Sequence, residues 1–251
     1  LWNDVLIEHT KMWVDYLEED VAGFTAGQAP GENFVDSKAF MDESLRLFRP
    51  KIFVRNVEVS GLTYVADLNT DNPFISNRAA FNIKFAVDWF IDGVYAHDNQ
   101  FVFRTRGPYN NAQGSVHAQI TNVVAHDNDV LFRFERDVED IHLAHFTADI
   151  DDQDHFFALH ADCSSDICFD QSTFMLYNSL FVDTAFPQEA AYGNSGLLSA
   201  SAADFVNYTA DDYRLASGSA AQNAGTAVFG VQHDITGRSR TLPVDAGAYE
   251  R

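Results

Sequence analysis

Apolar residues along most of this chain fall in short alternating runs, punctuated by single Asn, Gly, His or Asp residues. Two stretches superimpose at an offset of 29 residues: Ile91-Asp92-Gly93-Val94-Tyr95-Ala96-His97-Asp98-Asn99-Gln100-Phe101-Val102-Phe103-Arg104 and Ile120-Thr121-Asn122-Val123-Val124-Ala125-His126-Asp127-Asn128-Asp129-Val130-Leu131-Phe132-Arg133. Looser copies occupy Ile52–Val59, Leu143–Asp149 and Leu176–Val182. Alternation marks strands with one buried face, and recurrence of one strand-turn unit marks a stacked coil.

Asn56, Gly93, Asn122, His145 and Asn178 hold one fixed place in these copies. At a bend between strands that place needs left-handed backbone angles, which Gly and Asn reach at little steric cost. For a single site, Asn as a plain turn marker is the competing reading; recurrence in phase with the apolar pattern favours coils. Stacked Asn amides would also bond to one another along the axis.

The first fifty residues depart from this pattern. Leu1, Val5, Leu6, His9, Met12, Trp13, Tyr16 and Leu17 follow helical spacing, and Asp36 to Leu47 reads as a second, shorter helix with Asp36 or Ser37 as N-cap and Pro50 beyond its end. Residues 1–50 are therefore expected to form a helical cap over an exposed sheet edge, or a docking segment. Coils are expected over 51–186, and the last coil with an irregular cap over 187–251.

The chain holds 22 Phe in 251 residues, with Phe101/Phe103, Phe132/Phe134 and Phe156/Phe157 recurring once per unit. Alternate residues of a strand face one side, so successive rings are expected to stack inside a narrow core and to stabilise it through their large apolar area. The remaining composition, 46% apolar and 21% charged, suits a folded domain. No run of roughly eighteen apolar residues is present, so no membrane span is expected. The chain has no initiator Met and no leader, and reads as a mature product or a fragment.

Charge narrows the partners. The formal net charge is -21, which disfavours nucleic acid and anionic membrane surfaces. Asp outnumbers Glu by 27 to 10, a bias towards turns and calcium-type ligands rather than helices; a solvated acidic skin accounts for most of these residues. Cys163 and Cys168 are the only cysteines. Their spacing suits a loop disulfide formed in an oxidising compartment, worth about 2 kcal/mol by loop closure, with buried thiols as the alternative. Asn207-Tyr208-Thr209 is the single glycosylation sequon.

The chain ends in Tyr213-Arg214-Leu215-Ala216-Ser217-Gly218-Ser219-Ala220-Ala221-Gln222-Asn223-Ala224-Gly225, then Asp234-Ile235-Thr236-Gly237-Arg238, then Val244-Asp245-Ala246-Gly247-Ala248-Tyr249-Glu250. These blocks and their order resemble the closing segment of secreted, pectate-lyase-like surface proteins of the choice-of-anchor Q type. Ala220 stands where that family usually has Pro, and Gln222-Asn223 where it usually has Ile-Asp. The resemblance implies an all-β, right-handed parallel β-helix, secreted or displayed at the cell surface. It implies architecture more than activity, because such endings occur on enzymes and inert fibres alike.

Candidate chemistry is sparse. His97 and His126 are repeat-equivalent, so their imidazoles should lie about 5 Å apart, one strand spacing. They would bind a metal, polarise a sugar, or serve only as turn residues. Arg104 and Arg133 stack likewise, and two guanidinium groups so placed need anions beside them, from Glu135 and Asp137 or from a uronate. β-Helix polysaccharide lyases, as the resemblance implies, abstract a sugar proton with an Arg or Lys base while Ca²⁺ neutralises the uronate. Asp149, Asp151, Asp152 and Asp154 form a candidate Ca²⁺ cluster. Tyr109, Asn110 and Asn111, in the insert from Thr105 to Gly114, are candidate sugar contacts. No block of the polygalacturonase type is present. The expected role is architectural or adhesive, in a fibre, coat or surface component that self-associates or contacts polysaccharide. A lyase or epimerase acting on an acidic polysaccharide, and a glycan-binding module, are the alternatives.

Overall fold

The computed structural model describes residues 4–14, 33–37, 49–63, 65–66, 73–75, 78–84, 87–107, 116–135, 138, 140–149, 155–159, 174–182 and 196–251. Its strands are β1 (Asp4–Trp13), β2 (Asn33–Asp36), β3 (Lys51–Ser60), β4 (Val65–Ala66), β5 (Pro73–Ile75), β6 (Ala79–Lys84), β7 (Asp88–His97), β8 (Phe101–Arg106), β9 (His117–His126), β10 (Val130–Glu135), β11 (Ile141–Asp149), β12 (His155–Leu159), β13 (Met175–Tyr177), β14 (Leu180–Val182), β15 (Leu198–Ala200), β16 (Phe205–Asn207) and β17 (Asp212–Leu215). Two parallel sheets carry the fold. The long one runs β1-β3-β7-β9-β11-β14-β15, with β13 also on β11, and the second runs β12-β10-β8-β6-β2. The pairs β1/β2, β3/β6, β7/β8, β9/β10 and β11/β12 each give one strand to each sheet, coil after coil, and β13, β14 and β15 extend the long sheet alone; the architecture is a parallel β-helix.

The strands of the long sheet bend at one residue, and the bends align. His9, Asn56, Gly93, Asn122, His145, Asn178 and Gly196 all have positive φ, between 49° and 79°, and the register places them side by side. The bend shifts the alternation by one: Val54 and Val57, not Val54 and Asn56, are both buried. Glycine is the easiest fit at position 93, where φ is 79° and an added Cβ would lie 2.6 Å from the Asn56 Oδ1. The expected line of left-handed residues is thus present, and it extends to His9.

That shift corrects the reading of the first residues: Asp4–Trp13 is a strand paired with β3, not a helix. Val5 and Ile7 alternate, His9 resets the phase, and Thr10 and Met12 resume one residue late. The sum imitates a helical period. Asp36 is the last residue of β2, and 38–48, the body of the second expected helix, lie outside the described residues.

A second aligned corner follows. Gly61, Asp98 and Asp127 have positive φ and are joined by Gly61 N–H to Asp98 O and Asp98 N–H to Asp127 O, each 2.9 Å. Just past it, Asn99 and Asn128 are buried. The Asn99 amide donates to Asn128 Oδ1 (2.8 Å) and to Val59 O and His97 O, while that of Asn128 donates to Ala96 O and His126 O. The amide ladder expected at the first bend is built here instead. Of the residues named at the first bend, Asn178 and His145 alone bond to one another through their side chains, at 3.2 Å.

Inside, Phe81, Phe103 and Phe132 form a column with centroids 5.4 and 4.9 Å apart, joined by Phe134 and Phe146. Burying such rings contributes roughly 1.5–3 kcal/mol each. Phe101 does not join this column as expected; it packs with Ala79 and Val130.

Residues 201–251 form a clasp along the outer side of the long sheet. Its Phe205, Tyr213, Leu215, Ala246 and Ala248 pack on Val124, Leu180 and Val182. The motif residues lock it internally. Asp234 accepts from Thr236, Arg238 and Glu250 N–H groups, Asp245 from those of Asn223 and Arg251, and Glu250 from those of Thr241 and Asp245.

Candidate functional site

The clasp segment 229–237 lies beside the line of bend residues, with the His233 carbonyl bonded to the Asn122 amide. It separates two open grooves on the outer surface of the long sheet. Both are built from outward positions of β3, β7 and their neighbours.

The first groove, about 330 Å³, is lined by Phe53, Arg55, Phe90, Asp92, Gln119 and Phe229 among others. Phe53 and Phe90 are paired by the register of β3 and β7. Their rings stack with centroids 5.2 Å apart and planes 17° apart, half-exposed on the outside of the sheet. The Arg55 guanidinium carbon lies 5.7 Å from the Phe53 centroid. Asp92 accepts from the Thr121 hydroxyl (2.8 Å) and the Asn122 amide (2.7 Å). Phe229 stacks on His142 at 5.3 Å and meets Tyr177 edge-on.

The second groove, about 600 Å³, is lined by His9, Lys11, Asn56, Glu58, Tyr95 and Tyr249 among others. At its side stand the predicted histidines. His97 and His126 stack with centroids 5.3 Å apart and planes 10° apart, as the repeat requires. Each has Nδ1 2.6 Å from the carboxylate of the next residue, Asp98 or Asp127. Lys11 pairs with Glu58, whose other neighbour is His97 Nε2 at 3.4 Å; the Lys11 bond holds the Glu58 carboxyl below its ordinary range. His126 Nε2 is 3.0 Å from the Tyr95 hydroxyl. With the proton on Nδ1, His126 donates to Asp127 and accepts from Tyr95, giving a Tyr–His–Asp chain. Burial, then the neighbouring Tyr249 phenol and after it nearby carboxylates, push the Tyr95 phenol up to about 12.

Asp149, in register with His126, accepts from the hydroxyls of Tyr208 (3.2 Å) and Tyr213 (2.5 Å). It anchors the β16–β17 hairpin, and burial raises its carboxyl. Among the described residues, His126, Asp127 and Asp211 bring their ligand atoms within 4.8 Å of one another, close enough to share a cation. Asp151, Asp152 and Asp154 lie outside the described residues, as do Tyr109, Asn110, Asn111, Cys163 and Cys168.

Arg104 and Arg133 are paired in register, but on the second sheet. Glu135 supplies the anion they need. It bonds Arg104 at 2.8 and 3.0 Å and Arg133 at 3.0 Å, with Arg106 at 3.7 Å. Glu135 and Arg104 are buried, and Arg133 lies over the Phe101 ring, where burial lowers its pKa. Asn207 is exposed at the end of β16 and accepts from the Thr209 hydroxyl at 3.2 Å.

Phe53, Phe90, Tyr95, Glu58 and Asp211 escaped the sequence reading. Phe53 was within reach, since it lies between inward Ile52 and Val54 in a recognised copy of the repeat. Comparison of the chain with protein-family models and with curated proteins finds no match to either.

Proposed function

We propose that the protein is an extracellular β-helix component with an architectural or adhesive role, holding glycan on the outer surface of its long sheet. The observation that carries this reading is the stacked, half-exposed Phe53–Phe90 pair in an open groove with Arg55, Asp92 and Gln119 around it. Sugar rings offer apolar faces and a rim of hydroxyls, and a flat aromatic surface with convergent polar groups answers both. The resemblance of residues 213–250 to surface-protein endings supports the extracellular placement. The net charge of -21 favours neutral or amino-bearing polymers over polyuronates.

A lyase or epimerase is the second reading, and the Tyr95–His126–Asp127 chain favours it, because that arrangement moves protons. A uronate here would need a divalent cation such as Ca²⁺ to bridge it to the acidic surface. Arg104 and Arg133 serve this reading poorly, being held by Glu135.

Affinity electrophoresis against neutral, amino-bearing and uronate polysaccharides tests the first reading. Retardation lost in Phe90→Ala supports it, and mobility unchanged by every polymer overturns it. Ultraviolet absorbance from unsaturated uronate products, with and without Ca²⁺, tests the second; a rise abolished by Tyr95→Phe would establish a lyase.

A further inference from the structure

The open end of the coil carries an inference that stands apart from the glycan reading. Among the described residues, β1 and β2 are the edge strands of the two sheets at the same end. Val5, Ile7, Met12, Val14, Phe34 and Val35 pack against the core yet stay half-buried. Ile52, Val54 and Val59, the partners of the first three one coil further in, are buried. Among the described residues, no further layer finishes this end of the core.

Within its own residues β1 carries none of the usual protections of an edge. It runs ten residues without proline, glycine or bulge, its one lysine is engaged by Glu58, and Leu6 and Trp13 are 53% and 61% exposed. Such edges recruit further strands. The other end of the long sheet differs: β15 has three residues, after which the Ser201–Asp204 capping box and the antiparallel β16–β17 pair lead the chain away. One open end and one blunted end disfavour head-to-tail growth and favour a two-fold contact that uses the open end twice.

The residues of β1 are complementary to their own reversal. Laid antiparallel on a second β1, Val5 meets Met12 and Ile7 meets Thr10, all inward positions by their register with buried Ile52, Val59, Val54 and Val57. Leu6 meets Lys11 and Asp4 meets Trp13 on the outward side, while Glu8 meets His9 at the bend. Lys11 then lies diagonally between Asp4 and Glu8 of the second strand, a favourable cross-strand arrangement. The left-handed His9 makes this match possible, because its phase shift renders the inward pattern symmetric about the strand centre.

We propose that two copies of the chain join through their β1 edges, antiparallel about a two-fold axis, each closing the open end of the other's core. With -21 on each chain, salt strengthens the contact by screening repulsion. Light scattering after size exclusion, over a range of concentrations at low and high salt, should give a dimer mass favoured by salt. Thr10 is exposed in the single chain, so Thr10→Lys leaves the fold intact and sets a charge against Ile7 of the second copy; the dimer should weaken at least tenfold, about 1.4 kcal/mol. Hydrogen exchange supplies an independent readout: β1 amides should be protected increasingly with concentration in the native chain and not in the variant. A monomer under all conditions, particles growing beyond the dimer, or a dimer indifferent to Thr10→Lys would each overturn the proposal.

Discussion

Arg240 donates from Nη2 to the Oδ1 of Asn122, 2.8 Å away and 118 residues earlier in the chain. One buried cation thereby ties the clasp to the line of left-handed bends. The same guanidinium reaches Gly247 O, Ala248 O and the Glu250 carboxylate, so the family-like motif and the coil share one hydrogen-bonded centre. Its side chain is only 1% exposed and that of Glu250 3%, which makes the pair strongly dependent on both members.

Replacing Arg240 by Met should cost about 3–5 kcal/mol, because it strands a buried carboxylate. Adding Glu250→Gln should recover part of that loss, since the two residues act through one contact. Urea unfolding of the two single variants and the double variant measures the coupling. Strictly additive losses would show that the clasp does not depend on this pair.

His145 should make the protein sensitive to acid. It is buried on the same line of bends, and burial, with Arg240 second, depresses its pKa from 6.5 to about 3. A group depressed on folding contributes stability in full above its unfolded pKa and loses it as the pH falls towards its folded value. Stability should therefore decline between pH 6.5 and about 3, by up to about 1.4 kcal/mol per pH unit from this group alone. Asn occupies the equivalent bend in β3, β9 and before β14, so His145→Asn should keep the fold and flatten the decline. Denaturation midpoints across that range decide it.

The line of bends was legible because Gly, Asn and His mark it in phase with the apolar pattern. β1 was not, because its single left-handed residue is His9, and the phase shift there imitates a helix. The aromatic groove was hidden for a related reason. Phe53 and Phe90 are 37 positions apart, not 29, because the β4–β5 insertion lengthens that coil, so a search at constant offset misses their alignment. The stacking of His97 on His126 and of Arg104 on Arg133 followed from constant offset alone. What surrounds them did not, since Tyr95 and Asp211 meet across 116 residues through the clasp, a contact no local pattern encodes.

Asn128→Ala should destabilise by about 2–4 kcal/mol. The change removes donors from the buried carbonyls of Ala96 and His126 and an acceptor from the Asn99 backbone and amide, and each unsatisfied buried polar group costs about 1–3 kcal/mol. Asn122→Gly, by contrast, keeps the left-handed angle and forfeits only partly buried bonds, so it should cost less. Thermal unfolding that ranks the two variants the other way would refute a ladder-centred account of the second corner.

Arg104→Ala separates a structural arginine from a catalytic one. Arg104 bonds both oxygens of Glu135 inside a shell where the two side chains are 7% and 5% exposed. Its removal should lower stability by about 3–5 kcal/mol. The Phe53–Phe90 groove lies on the other sheet and does not include it, so polysaccharide retention measured well below the unfolding transition should match that of the native chain. A variant that stays equally stable but loses an activity on uronate polymers would instead mark Arg104 as a reacting group, and would move the functional centre to the second sheet.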